Sequence, residues 1–72
     1  MESTEAVEIF NAALGKVQIV KNLRVRMYEM PNKKGEPELV PCVEYLVVGH
    51  NREWVDWQPY EAFLANNPKI EL

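Results

Sequence analysis

Between Ser3 and Leu14 the apolar residues Ala6, Val7, Ile9, Phe10, Ala13 and Leu14 recur at spacings of three and four. That spacing predicts an amphipathic helix with one apolar stripe. Ser3 or Thr4 can cap its first turn, and Glu2, Glu5 and Glu8 suit the positive end of the helix dipole. Gly15 followed by Lys16 reads as its C-terminal stop.

From Val17 to Met27 the period changes to two. Val17, Ile19, Leu23, Val25 and Met27 alternate with Gln18, Asn22, Arg24 and Arg26, interrupted by Lys21 and by a Val20 that alternation turns outward. This is the pattern of a strand with one wet face, and Lys21-Asn22 marks a bulge or bend within it. Pro31-Asn32-Lys33-Lys34-Gly35-Glu36-Pro37 is a turn by composition and closes a hairpin. The run Glu38 to Val48 is apolar with little alternation, as expected of a central strand. Pro41 lacks a ladder donor, so pairing is expected to begin at Cys42. Gly49-His50-Asn51-Arg52 forms the next turn and Glu53 to Trp57 a third strand.

Pro59 suits the start of a short helix, Pro59 to Ala65, with Tyr60, Phe63 and Leu64 on one side, and Asn66-Asn67-Pro68 ends it. The tail is expected to be extended and to dock through Ile70 and Leu72. The expected order is therefore α-β-β-β-α, a single small α+β domain over residues 1–72. A three-stranded antiparallel β-meander would carry an N-terminal helix and a short C-terminal helix on one face.

A hairpin turning about Lys33-Lys34 sets Val25 opposite Val43 and Leu23 opposite Tyr45, on the face the helices cover. Arg24 then lies opposite Glu44 and Arg26 opposite Cys42 on the other face, beside Tyr28, Val40, Leu46 and Val48. Two short helices provide no layer for that second face, and apolar side chains framed by Arg and Glu there resemble an interaction surface. The two tryptophans differ in strand parity. The expected arrangement puts Trp57 inside with Val55 and Trp54 outward near Val48, beside Arg52. Trp, Tyr and Arg dominate binding hot spots, so the partner-binding set is Arg24, Arg26, Tyr28, Val40, Glu44, Leu46, Val48, Arg52 and Trp54.

Composition narrows the classes. Seventy-two residues hold one core of limited size, and the lone Cys42 excludes an intrachain disulfide and a cysteine zinc cluster. A net charge of −3 and a pI near 5.1 disfavour wrapping duplex nucleic acid. With 47% hydrophobic residues and a mean hydropathy of −0.31 the chain should fold as a soluble protein. The starting Met and compact end suggest a complete small gene product. The N-terminus is acidic where a signal peptide would be basic, and the longest apolar run, Tyr45-Leu46-Val47-Val48, is strand length; with a free thiol, a reducing cytosol is the expected compartment.

No motif points to catalysis, a cofactor or a metal. Cys42 with His50, and Arg26 as the charge that lowers a thiol pKa, would be a thiol-nucleophile pair, but Cys42 sits in an apolar strand without an oxyanion loop and reads as a small core residue. The expected function is non-enzymatic: a small inhibitor or regulator that occupies a surface of a larger protein, as acidic accessory proteins of phage or mobile elements do. A homodimer through the same face would relieve the small core. One alternative is a single-stranded nucleic-acid or small-ligand module, with Arg24, Arg26, Lys33, Lys34 and Arg52 on phosphates and Trp54 or Tyr28 stacking on bases. The carboxylates Glu29, Glu36, Glu38, Glu44, Glu53 and Asp56 interleaved with those cations weigh against it. A structural subunit of a larger assembly is the third reading.

Overall fold

The computed structural model describes residues 5–72. Four strands, β1 (Val7–Asn11), β2 (Lys16–Pro31), β3 (Pro37–Val48) and β4 (Glu53–Pro59), precede one helix, α1 (Tyr60–Asn66). They pair in chain order, each antiparallel to the next, and the sheet curls into a half-barrel.

The expected N-terminal helix is overturned: its body is strand β1, and the sheet has four strands where three were expected. Glu2 and the caps Ser3 and Thr4 lie outside the described residues. Val7, Ile9 and Asn11 turn inward while Glu8 and Phe10 turn outward. β-Branched and aromatic side chains suit a pleated surface, and pairing with β2 satisfies a backbone that a short isolated helix would hold only marginally. Ala13 and Leu14, which completed the helical spacing, belong to the turn into β2. There the Leu14 and Gly15 N–H groups donate to the Asn11 carbonyl at 3.2 and 2.8 Å, and Gly15 takes φ +66. Gly15 reverses the chain instead of ending a helix.

The expected irregularity near Asn22 is a β-bulge. Lys21 pairs with Leu46 and Arg24 with Glu44, so β2 carries one residue more than β3 across this interval, and Asn22 adopts φ +56. One extra residue inverts the alternation. On the N-terminal side Gln18 and Val20 are buried and Val17 and Ile19 face out, the reverse of the expectation drawn from Val17 and Ile19. On the C-terminal side Arg24, Val25 and Arg26 oppose Glu44, Val43 and Cys42 as expected. Leu23 falls inside the bulge and has no partner in register, so its expected pairing with Tyr45 is not formed.

Ile9, Val20, Val43, Tyr45, Val47 and Phe63 are buried together, with Val7, Leu23, Tyr60, Leu64 and Ile70 packed against them. The short C-terminal helix forms as expected. Pro59 is its N-cap, where a missing N–H leaves no hydrogen bond unmade. Phe63 enters the core beside Tyr45, with ring centroids 6.1 Å apart. With one helix in place of two, the inner face is only partly covered, and Val25 and Met27 are exposed beyond it. Against the expectation that pairing begins at Cys42, β3 pairs with β2 from Pro37 to Val47 on either side of the bulge, Pro41 included, whereas β4 reaches back only to Cys42. Pro41 thus has a neighbouring strand on one side only, the setting that tolerates proline. The distal halves of β2 and β3 continue as a two-stranded arm, closed by an Asn32 side chain that accepts from the N–H groups of Lys34 (2.8 Å) and Glu36 (3.0 Å).

The expected tryptophan arrangement is also reversed. The turn closed by Gly49 N–H to the Arg52 carbonyl (2.8 Å) sets Val48 opposite Glu53. Trp54 therefore shares the inner face with its partner Val47, while Val55 and Trp57, opposite Leu46 and Glu44, face outward.

Side-chain amides close the gap between β1 and α1. Asn67 Oδ1 accepts from the Phe10 N–H at 2.7 Å, while its Nδ2 donates to the Phe10 and Phe63 carbonyls, each at 3.1 Å. Gln58 Nε2 donates to the Tyr45 hydroxyl at 3.0 Å, and Asn11 Nδ2 donates to Gln18 Oε1 at 3.1 Å. The buried Asn11, Gln18, Gln58 and Asn67 are all satisfied in this way.

Candidate interaction surface

Even-numbered positions of β3 and the C-terminal half of β2 build the outer face of the sheet. Arg24, Arg26, Tyr28, Val40, Glu44, Leu46 and Val48 all lie on it, as expected from the hairpin register. Arg52 and Trp54 do not join them. The Arg52 guanidinium stacks 4.9 Å from the Trp54 ring centroid at the β3–β4 turn, off the outer face. Trp57 takes the place on the outer face that was expected for Trp54.

Glu44 organises this surface. Its Oε1 accepts from Arg24 Nε (3.0 Å) and Nη2 (2.7 Å), with Arg26 Nη1 at 3.6 Å, and its Oε2 accepts the Tyr28 hydroxyl at 2.5 Å. The Tyr28 hydrogen bond, followed by that from Arg24, holds the Glu44 carboxyl below the usual carboxylate range. The same bond raises the Tyr28 phenol above its ordinary value. Tyr28 stands opposite Val40 yet reaches Glu44, so its ring spans the intervening Cys42 row. It packs on Trp57 with centroids 5.1 Å apart and planes 34° from parallel. Cys42 is fully buried, and burial pushes its thiol up, which makes it unreactive. The core-residue expectation for Cys42 is met.

A second polar link crosses the face. Lys21 on β2 reaches Glu53 on β4 at 2.8 Å, passing over β3 between the Leu46 and Val48 rows. Leu46 and Val48 on β3 are half-buried. This strap and the Arg24–Glu44 pair leave two apolar corners uncovered. One is Phe10, Val17 and Ile19 with Leu14 of the adjoining turn; the other is Val55 and Trp57 on β4. At the bulge the parting of β2 and β3 opens a cleft of about 360 Å³ lined by Asn22, Leu23, Arg24, Glu44, Tyr45, Leu46 and Val55.

Phe10, Val17, Ile19, Val55 and Trp57 are additions to the expected surface. Alternation alone places Val17 and Ile19 with the core, and the signal against it is Asn22, a residue type that adopts positive φ within an otherwise regular strand; Val55 and Trp57 face outward because the Gly49–Arg52 turn sets Val48 opposite Glu53.

Comparisons with protein-family models, with curated proteins and with solved structures find no match for this chain. Among the described residues no helix is long and apolar enough to cross a membrane.

Proposed function

We propose that this chain is a non-enzymatic protein-binding module, of the inhibitor or regulator type, that covers part of a larger protein with the outer face of its sheet. One observation carries the reading: Trp57, opposite Glu44 on the outer face, stays 39% exposed while Tyr45 and Phe63 fill the core. A small domain gains most by burying its largest rings, and rings held at the surface are the residues that dominate binding energy. Trp57 is held ready by Tyr28, and Tyr28 and Arg24 are fixed by Glu44, so little side-chain entropy is left to lose on docking. A reduced, buried Cys42 fits a cytosolic setting.

A photo-cross-linking amino acid at Val55, exposed on the outer face, should trap a discrete partner in cells. The same probe at Glu61 on α1 should not, and Trp57→Ala should abolish the Val55 product. Identical products from both positions would remove the outer face from the proposal. Single-stranded nucleic acid is disfavoured because Glu44, paired with Arg24 and 3.6 Å from Arg26, offsets part of their charge and would repel a phosphate there. Tryptophan emission should stay flat on titration with short oligonucleotides at low salt, and a saturable change lost in Trp57→Ala would replace the protein reading.

A further inference from the structure

The two apolar corners of the outer face are complementary in a way that a two-fold axis satisfies. We infer that the outer face docks a second copy of this chain, the Phe10–Val17–Ile19 corner of each copy covering Val55 and Trp57 of the other. This deepens the protein-binding reading above and rests on it.

Three features favour a second copy and a face-to-face geometry. First, the edges resist strand addition. Asn67 occupies both backbone groups of Phe10 on β1, and the Asp56 carboxylate accepts the Trp57 N–H on β4 at 2.8 Å. Second, the corners lie at opposite ends of a diagonal, with the Lys21–Glu53 strap between them. An axis lying in the interface and crossing that diagonal superposes corner on corner twice, which is the isologous pattern of a closed dimer. It sets the strands of the two sheets near right angles, one of the two favoured ways sheets stack. Third, the same operation carries Arg24 at one end toward Glu8 at the other. Glu8 is exposed and has no ion pair among the described residues, while Arg24 spends its contacts on one oxygen of Glu44 and keeps donors free. Opposite charges thus meet at both ends of the interface.

The area suffices. A stable interface takes about 800 Å² from each partner, which is about one-seventh of the 5608 Å² exposed by this chain. Leu14 and Val17 at 55% and 58% exposed and Val55 at 63% leave much apolar surface to contribute. Self-association and capture of another protein would use the same residues, so the two compete for one face.

Sedimentation equilibrium between about 10 µM and about 1 mM tests this. The mass should rise from 8.4 kDa toward twice that value, with tryptophan emission shifting to the blue as Trp57 is covered. Val17→Asp and Val55→Lys alter exposed positions and leave the far-ultraviolet circular dichroism unchanged, and each alone should weaken the dimer about tenfold or more. Mixed together they should restore it, because one of the two contacts then pairs Asp with Lys and the other is wild type. A wild-type mass of 8.4 kDa at the highest concentration, or a mixture no heavier than the separate variants, overturns the dimer. Val55 cross-linking to another protein is scored separately, so a monomer that still yields that product loses the dimer and keeps the binding reading.

Discussion

Asn66 and Asn67 are adjacent, identical in type and equally polar, yet only one of them ties the fold together. Asn67 makes three side-chain hydrogen bonds, two to Phe10 on β1 and one to the Phe63 carbonyl at the end of α1, and its own N–H also donates to Phe63 at 2.9 Å. Asn66 makes one, to the Ala62 carbonyl on the exposed side of the helix. Asn67→Ala removes all three and leaves the Phe10 N–H without its partner. At about 0.5–1.5 kcal/mol per bond the loss is about 2–3 kcal/mol, against the roughly 3–5 kcal/mol a core of this size supplies. Asn66→Ala should cost less than about 0.5 kcal/mol. Urea unfolding followed by far-ultraviolet circular dichroism measures both, with the midpoint of Asn67→Ala falling by about half or more. Asn67→Asp adds a pH arm. Its Oδ1 still accepts from Phe10, but a buried carboxylate then faces two carbonyls, which raises its pKa in the folded state. A folded pKa above the unfolded one means that stability declines as pH rises through the unfolded value, and the loss is complete above the folded value. Asn67→Asp should therefore resemble wild type most at low pH and be weakest at neutral pH. Equal, small effects for Asn66→Ala and Asn67→Ala would refute the claim that this side chain joins α1 to β1.

Glu44→Gln probes the outer-face cluster: because Tyr28 and Arg24 depress the Glu44 pKa, the stability it adds is full above the unfolded carboxylate value and disappears as pH falls through the folded one. The wild-type advantage over Glu44→Gln in urea midpoint should thus be present at neutral pH and vanish in acid, and a pH-independent gap would show the cluster to be energetically idle. Gly49→Ala places a Cβ 2.7 Å from the Trp54 ring and 2.9 Å from the Arg52 carbonyl, so it should cost about 1–3 kcal/mol; calorimetry showing no loss would mean the turn yields freely. Cys42 should react with a thiol reagent only on unfolding, so its rate should follow urea-induced opening and not thiolate concentration in the native state.

Short-range patterns account for much that is correct in the sequence reading. The 31–37 turn, the register of Arg24, Val25 and Arg26 on Glu44, Val43 and Cys42, and the closing helix each depend on local chemistry. Proline, glycine and asparagine supply the turns, and charge and apolar alternation the pairing. The rest depends on what each segment pairs with, which its own pattern does not record. Val7 to Asn11 has both helical spacing and strand-forming residues, and the choice falls to β2, which offers an unpaired edge. Val17 and Ile19 face outward against their alternation because that alternation carries no record of one additional residue at Asn22.

The sequence by itself determined that no intrachain disulfide can form, that the middle of the chain is an antiparallel hairpin, and that Arg24, Arg26, Tyr28 and Glu44 share a face. Only the tertiary structure decided which end of β2 faces the core, that Trp57 and not Trp54 stands on the outer face, and that Asn67 rather than Asn66 joins helix to sheet. Asn67 is singled out because, at the end of α1, its side chain meets the Phe10 backbone while that of Asn66 turns back to Ala62; the two strand cases share one physical reason. Side-chain direction in a strand is a matter of parity, and parity is set by a bulge and a turn length whose geometry is fixed only when the neighbouring strand is in place.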